Sequence, residues 1–218
     1  MLKFLPLVLS LAFQAPARAQ APRLLYISRE FWKPGHEAAL NLIEAEAART
    51  CIGLGVPHPY LGIESLTGSK EVWYVNGFAS PEELAQVTEA YAKKPELLAA
   101  MKRFAQERSE FQSQAGSEGP ATYRPQLSRG AEWKMGHERF LVIAVTKGNP
   151  HGDGAVFESQ DGVQFVVTAA KTRAEADEKL PVAVPDAKIF AVRPRFSMPA
   201  AEWVASDPSF WDSEARKK

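Results

Sequence analysis

The phrase from Arg124 to Trp133, RPQLSRGAEW, returns from Arg193 to Trp203 as RPRFSMPAAEW, with one residue added. A phrase that a chain repeats constrains its fold strongly, because repeated units are built as copies of one supersecondary piece that share a core. The order of signals around the phrase repeats as well. Glu71 to Phe78 (EVWYVNGF) reads as a strand, and a helix start follows: Ser80 is the N-cap, Pro81 the first helical residue, and Glu83 closes a capping box. Val163 to Ala170 (VQFVVTAA) is followed at the same distance by Thr172-Arg173-Ala174-Glu175, a second capping box. Upstream, Gly62-Ile63-Glu64-Ser65 enters the first strand through the turn LTGSK, and Val156-Phe157-Glu158-Ser159 enters the second through QDG. Both read as hairpins, and the two-residue difference keeps inward and outward faces in phase. Only Glu, Ser, Val and Glu recur across this stretch, at 64/158, 65/159, 75/167 and 83/175.

Each half opens on a similar strand, Arg23 to Ile27 and Arg139 to Ile143, and the repeated phrase closes each half as a Pro-limited edge strand with an anchoring Trp. The halves are unequal. Residues 28 to 62 leave room for a helix from Glu37 to Cys51, stopped at Gly53 and Gly55, whereas only the loop KGNPHGDG separates Ile143 from the next strand. A further helix, Glu96 to Phe111, has its apolar stripe on Leu97, Met101, Phe104 and Phe111. The intact half therefore reads βαββαβ, a ferredoxin-like unit. Strand 71 to 78 is apolar on both faces, Trp73 and Val75 on one and Val72, Tyr74 and Phe78 on the other. Helices cover one face, and the sheet of the second half is the simplest cover for the other. The expected fold class is α+β: tandem duplicated ferredoxin-like units, residues 20 to 133 and 134 to 218, forming a single-chain α+β barrel whose second unit lacks its first helix.

Residues 1 to 19 stand apart. Lys3 precedes an apolar run from Phe4 to Phe13 that is too short to span a bilayer, and Ala17-Arg18-Ala19 is a cleavage motif before Gln20. This reads as a signal peptide, so the protein is expected to be secreted or periplasmic. Without it the chain carries 24 basic and 26 acidic residues. No basic patch or basic amphipathic helix points to nucleic acid or to a membrane partner. A lone cysteine, Cys51, excludes an intrachain disulfide. It falls in step with Leu40, Ile43 and Ala47 on the apolar face of the first helix, where it serves as a small hydrophobe.

The strand end Phe31-Trp32-Lys33-Pro34-Gly35-His36, the stretch EVWYVNGFASPEEL, and the late RPRFSMP followed by DPSFW resemble the dimeric α+β barrel (ferredoxin-like) superfamily, in particular its NIPSNAP-like and uncharacterised secreted bacterial members. The resemblance implies the barrel fold. It implies no single activity, because the superfamily includes monooxygenases, haem-handling enzymes, lyases and proteins without a known reaction.

Signatures of chemistry are sparse. There is no H-E-x-x-H, C-x-x-C, G-x-S-x-G, P-loop or dinucleotide fingerprint, so no cofactor and no metal is expected. The loop Asn149-Pro150-His151-Gly152-Asp153-Gly154 pairs an imidazole with a carboxylate but reads as a polar turn in place of the missing helix. The richest cluster is Trp73, Tyr74 and Asn76, expected to be mostly buried. Asn76 shares a face with Val72, Tyr74 and Phe78, so a covered Asn76 needs a hydrogen-bond partner. His58, between Pro57 and Pro59 in an extended segment leading to Tyr60, suits a general base, although prolines in such a place more often just stiffen the connection. Trp73, Tyr74, Asn76, His58 and Tyr60 are thus the candidate ligand-binding residues, for a small apolar ligand held between sheet and helices. Two other readings stay open: a non-catalytic interaction or scaffold protein, and a cofactor-independent monooxygenase or lyase. The face bared by the missing helix calls for a cover. The Glu96 helix and the aromatic end Phe210-Trp211 capped by Asp207 are available, and Phe210 and Trp211 are expected to pack on the protein; if the tail is not the cover, a homodimer or a ligand at that face is the better account.

Overall fold

In the computed structural model, residues 22–130, 133–148, 153–181, 184 and 186–212 are described. Among the described residues eight strands are joined by helices, hairpins and loops. β1 (Leu24–Trp32), α1 (Glu37–Gly53), β2 (Leu61–Ser65), β3 (Glu71–Phe78), α2 (Pro81–Ala92), α3 (Pro95–Ser109) and β4 (Gln112–Tyr123) form the first half. β5 (Phe140–Lys147), β6 (Ala155–Ser159), β7 (Val163–Ala170), α4 (Arg173–Lys179) and β8 (Lys188–Val192) form the second, followed by the short helices α5 (Ala201–Ser206) and α6 (Pro208–Trp211). The strands close into an antiparallel barrel in the order β1-β3-β2-β8-β5-β7-β6-β4. Within it, β4-β1-β3-β2 and β8-β5-β7-β6 have the same internal order, and the pairs β2–β8 and β4–β6 seal the circle.

Both predicted helix starts are built alike. Ser80 Oγ accepts from the Glu83 N–H at 3.3 Å while the Glu83 carboxylate accepts from Ala79 N–H at 2.6 Å. Thr172 Oγ1 accepts from Glu175 N–H at 3.2 Å while Glu175 accepts from Lys171 N–H at 2.8 Å. These bonds satisfy amides that a helix start would otherwise leave bare. The hairpins repeat too. Ser65 Oγ donates to Ser69 O and accepts from Glu71 N–H, and Ser159 Oγ donates to Val163 O and accepts from Val163 N–H. Val75 and Val167 both point into the barrel.

The repeated phrase is not an edge strand. β4 ends at Tyr123 and β8 at Val192, so each phrase begins where its ladder stops, in keeping with a proline that has no N–H to give. What repeats is a clasp. Arg124 N–H donates to Val156 O and Arg193 N–H to Gly62 O, both at 2.8 Å. The Arg124 guanidinium meets Glu158 at 2.9 Å, and that of Arg193 meets Glu64 at 2.7 Å. Ser128 Oγ accepts from Val156 N–H, and Ser197 Oγ from Gly62 N–H, each at 2.9 Å. In each half the hydroxyl also donates to the carbonyl of the clasp's own arginine. The next residue then forms a β-bridge, Arg129 with Gly154 and Met198 with Tyr60. Each phrase fastens the neighbouring first hairpin strand, and its tryptophan, Trp133 or Trp203, is buried in the barrel cluster.

Side-chain alternation divides the sheet as expected. Leu25, Ile27, Ile63, Trp73, Phe157 and Phe190 fill the barrel, while α1 to α3 cover the outer face of the first half. The helix stripes are weaker than their sequences suggest. Leu97 and Phe104 are buried, Met101 is 42% exposed, Phe111 lies beyond the end of α3, and Leu84, Val87 and Tyr91 are only half-buried.

No helix lies between β5 and β6 among the described residues, and the face it would cover is closed neither by α3 nor by the aromatic tail. α3 packs on α1. α4 shields Val142 and Ile189, and Leu127, Val184 and Ala187 pack over Ala144, Val156 and Val166. The tail instead plugs one end of the barrel. Asp207 caps α6, Arg139 bonds Asp207 at 2.7 Å, and Trp211 is fully buried 5.8 Å from the Trp203 ring. Deleting residues 206–218 should therefore cost about 3–5 kcal/mol, the usual cost of losing a buried Trp. Denaturant melts of the truncated chain check this, and an unchanged midpoint would contradict it.

Candidate ligand site between sheet and helices

Residues pointing away from the barrel interior on β1 and β3 (Tyr26, Ser28, Glu30, Tyr74 and Asn76) face α1, α2 and α3 across a crevice of about 450 Å³. α1 contributes Glu44, Ala47 and Cys51, α2 contributes Tyr91, and α3 contributes Met101, Phe104 and Arg108, with Tyr60 just before β2. Tyr26, Tyr60, Tyr74, Tyr91 and Phe104 give the lining its aromatic surface, the exposed Lys102 and Glu118 stand at its solvent side, and the buried charges form one cluster.

That cluster is a cation between two carboxylates. Arg108 reaches Glu30 at 3.0 Å and Glu44 at 3.2 Å, and both acids are more than nine-tenths buried. Burial pushes the Glu44 carboxyl up to about 7, with Arg108 opposing the rise and Glu30 adding to it. The Tyr74 hydroxyl lies against Glu44, and burial holds its proton more tightly than in water. Burial also raises the pKa of Tyr60 and Cys51, so Cys51 is a poor thiolate. For Arg108 burial acts downward, but Glu44, Tyr74 and Glu30 outweigh it and keep the guanidinium charged. A buried carboxyl that titrates near neutrality at a cavity wall can donate or accept a proton at cellular pH.

The five residues picked out by sequence separate into two groups. Tyr60, Tyr74 and Asn76 line the crevice, with the Tyr60 and Tyr74 rings edge to face at 6.0 Å. Asn76 is half-buried and donates from Nδ2 to Pro59 O at 3.1 Å. Trp73 lies on the opposite face, inside the filled barrel, with Nε1 donating to Glu71 at 2.8 Å. His58 stacks on Phe78 at 4.4 Å, and its Nε2 is 2.9 Å from Gly77 O. A carbonyl only accepts, so Nε2 carries the proton and this nitrogen is no base. His36 precedes α1 without capping it through its side chain and lies against Phe111. In the NPHGDG loop, residues 149–152 lie outside the described residues. Among the described residues no three His, Cys, Asp or Glu side chains are grouped to hold a metal, and no helix is long and apolar enough to cross a membrane.

Sequence reading missed Glu44, Arg108 and Glu30. A signal was present for two of them. Glu44 falls in phase with Leu40, Ala47 and Cys51 on α1, and Arg108 with Met101 and Phe104 on α3, so each is a charge on a stripe that faces the sheet.

No family profile matches the chain, and no curated protein matches it in sequence. Among solved structures, a protein of Fusobacterium nucleatum subsp. nucleatum provisionally described as a monooxygenase shares 9% identity over 84% of this chain and 94% of its own, with a TM-score of 0.48. A Lactobacillus acidophilus protein with the same provisional description shares 8% over 80% and 94%, with a TM-score of 0.42. A protein provisionally described as a chlorite dismutase shares 11% over 79% and 96%, with a TM-score of 0.44.

Proposed function

We propose that the protein binds a small, mostly apolar molecule with one polar end in the crevice between the first-half sheet and its helices. The observation that carries this reading is a space of about 450 Å³ in which Tyr26, Tyr60, Tyr91 and Phe104 stand around Glu44, Arg108 and Tyr74. Ligand sites of this size are typically apolar with a few fixed polar groups. This favours binding over a filled scaffold.

A second reading adds chemistry. Glu44, titrating at about 7, is suited to take a proton from an acidic C–H or O–H of the bound molecule, with Arg108 stabilising the carboxylate before transfer. Proton abstraction of this kind is the first step available to a cofactor-independent oxygenase or lyase.

The wider placement belongs to the same proposal. The shared strand order and the doubled clasp support descent of the two halves from one duplicated ferredoxin-like unit. The sequence motifs support the dimeric α+β barrel superfamily and its NIPSNAP-like branch. The leader-like residues 1–19 support export.

A thermal-shift screen of small aromatic and aliphatic compounds on the chain from Gln20 tests the binding. Ligands should raise the melting temperature in the unaltered protein and fail to do so in Ala47→Phe, which fills the crevice. A ligand that stabilises both equally binds elsewhere. Glu44→Gln should keep binding but abolish any turnover, which separates the second reading from the first.

A further inference from the structure

At the end of the barrel plugged by the tail, Arg139, Arg193 and Arg195 line one cleft of about 330 Å³, walled by Pro194 and Phe210. Two of these cations are neutralised: Arg139 by Asp207 at 2.7 Å and Arg193 by Glu64 at 2.7 Å. Arg195 is not. Its guanidinium lies over the Phe196 ring at 4.9 Å and has no ion pair or hydrogen bond among the described residues. Burial and then repulsion from Arg193 outweigh the attraction of Glu64 and hold its pKa below the usual arginine value, so the charge sits at an electrostatic cost.

The repeat shows that the framework does not require this charge. The clasp residues Arg124 and Ser128 have counterparts in Arg193 and Ser197, and the position matching Arg195 is Gln126, a neutral residue. The first clasp forms the same bonds without a cation there. A half-buried arginine with no ion pair or hydrogen bond, repelled by its neighbour and dispensable to the clasp, is placed to meet a ligand.

We propose that this cleft binds a small aromatic monocarboxylate, its carboxylate on Arg195 and its ring against Phe210 and Pro194. Three guanidinium groups against two carboxylates leave one uncompensated positive charge, which matches a monoanion better than a phosphate dianion. A guanidinium presents parallel N–H donors that suit a carboxylate, and an apolar wall beside it selects an anion with a flat body. This site lies apart from the crevice at Glu44, and no residue lines both.

Benzoate is the probe, titrated by calorimetry and by NMR into the chain from Gln20, with benzyl alcohol and inorganic phosphate in parallel. Benzoate should bind and shift the resonances of Ser209 and Phe210, and benzyl alcohol should not. Arg195→Gln should weaken benzoate about tenfold or more, the size of a lost charge-assisted hydrogen bond. Its melting temperature should stay near that of the unaltered protein, because Arg195 holds no ion pair or hydrogen bond and its stacking on Phe196 is a weak contact. Ala47→Phe should leave benzoate binding intact. The proposal is overturned if benzoate does not bind, if Arg195→Gln binds it as well as the unaltered protein, if phosphate binds more tightly, or if Ala47→Phe removes the binding and so assigns it to the crevice.

Discussion

Glu71→Ala should lower the unfolding free energy by about 3–5 kcal/mol, the range for removing one partner of a buried ion pair. Glu71 sits at the end of the barrel opposite the tryptophan plug, where its carboxylate is fully buried. It accepts from Arg29 at 3.0 Å, Trp73 Nε1 at 2.8 Å and Ser69 Oγ at 2.8 Å, and pairs with Lys188 of β8, two strands away. Removing it leaves two cations, each less than one-fifth exposed, without their shared counter-charge, together with an indole N–H without an acceptor. Burial alone would raise this carboxyl's pKa, but the bonds from Lys188, Trp73, Arg29 and Ser69 outweigh it and the pKa is lowered. A depressed carboxyl stabilises the fold above its unfolded pKa, and this contribution is lost as pH falls through the folded value. The difference between Glu71→Ala and the unaltered protein should therefore be large at pH 7 and shrink in acid. Urea melts at both pH values measure it. A cost at pH 7 under about 1 kcal/mol, the range of exposed pairs, would show that solvent reaches the cluster.

Glu71 also shows what the sequence could and could not disclose. Its strand was legible from EVWYVNGF, and alternation correctly set Trp73 and Val75 apart from Tyr74 and Asn76. Alternation assigns residues to faces without saying which face borders a cavity, so Trp73 was grouped with the crevice although it packs inside the barrel. The repeat was legible because its residues act on nearby backbone. Ser80, Glu83, Thr172 and Glu175 bond within four residues, and Ser65 and Ser159 close their own hairpins. The charge cluster was not. Arg108 meets Glu44 and Glu30 only after α1 and α3 have docked over β1, and no local pattern encodes that meeting. Likewise, the paired aromatics Phe210 and Trp211 announced docking, while the choice between an open sheet face and the barrel end was made by the nearby Trp203 ring and by Arg139, distant in sequence.

Below pH 7 the protein should become more stable rather than less, until acid reaches Glu71. Two buried carboxyls drive this, Glu44 and Glu138, each pushed up to about 7 chiefly by burial. Glu138 is the simpler case. It is 3% exposed, with the His137 N–H donating to it at 2.9 Å and the Trp133 indole beside it, and it forms no ion pair among the described residues. A raised carboxyl favours the folded state while protonated: its contribution is fully present below the unfolded value, near 4.5, and is lost as pH rises through about 7. A shift of that size corresponds to roughly 3 kcal/mol per group between pH 4.5 and pH 8. Glu138→Gln keeps an acceptor for the His137 amide and cannot ionise. It should match the unaltered protein at pH 5 and exceed it by about 2–3 kcal/mol at pH 8. Glu44→Gln should gain less at pH 8, because Arg108 then keeps only Glu30 as a counter-charge. Denaturant melts at the two pH values separate the cases. If Glu138→Gln differs from the unaltered protein equally at both, Glu138 does not titrate in the folded state between them, and its carboxyl has reached water by a route that the buried position beside Trp133 does not provide.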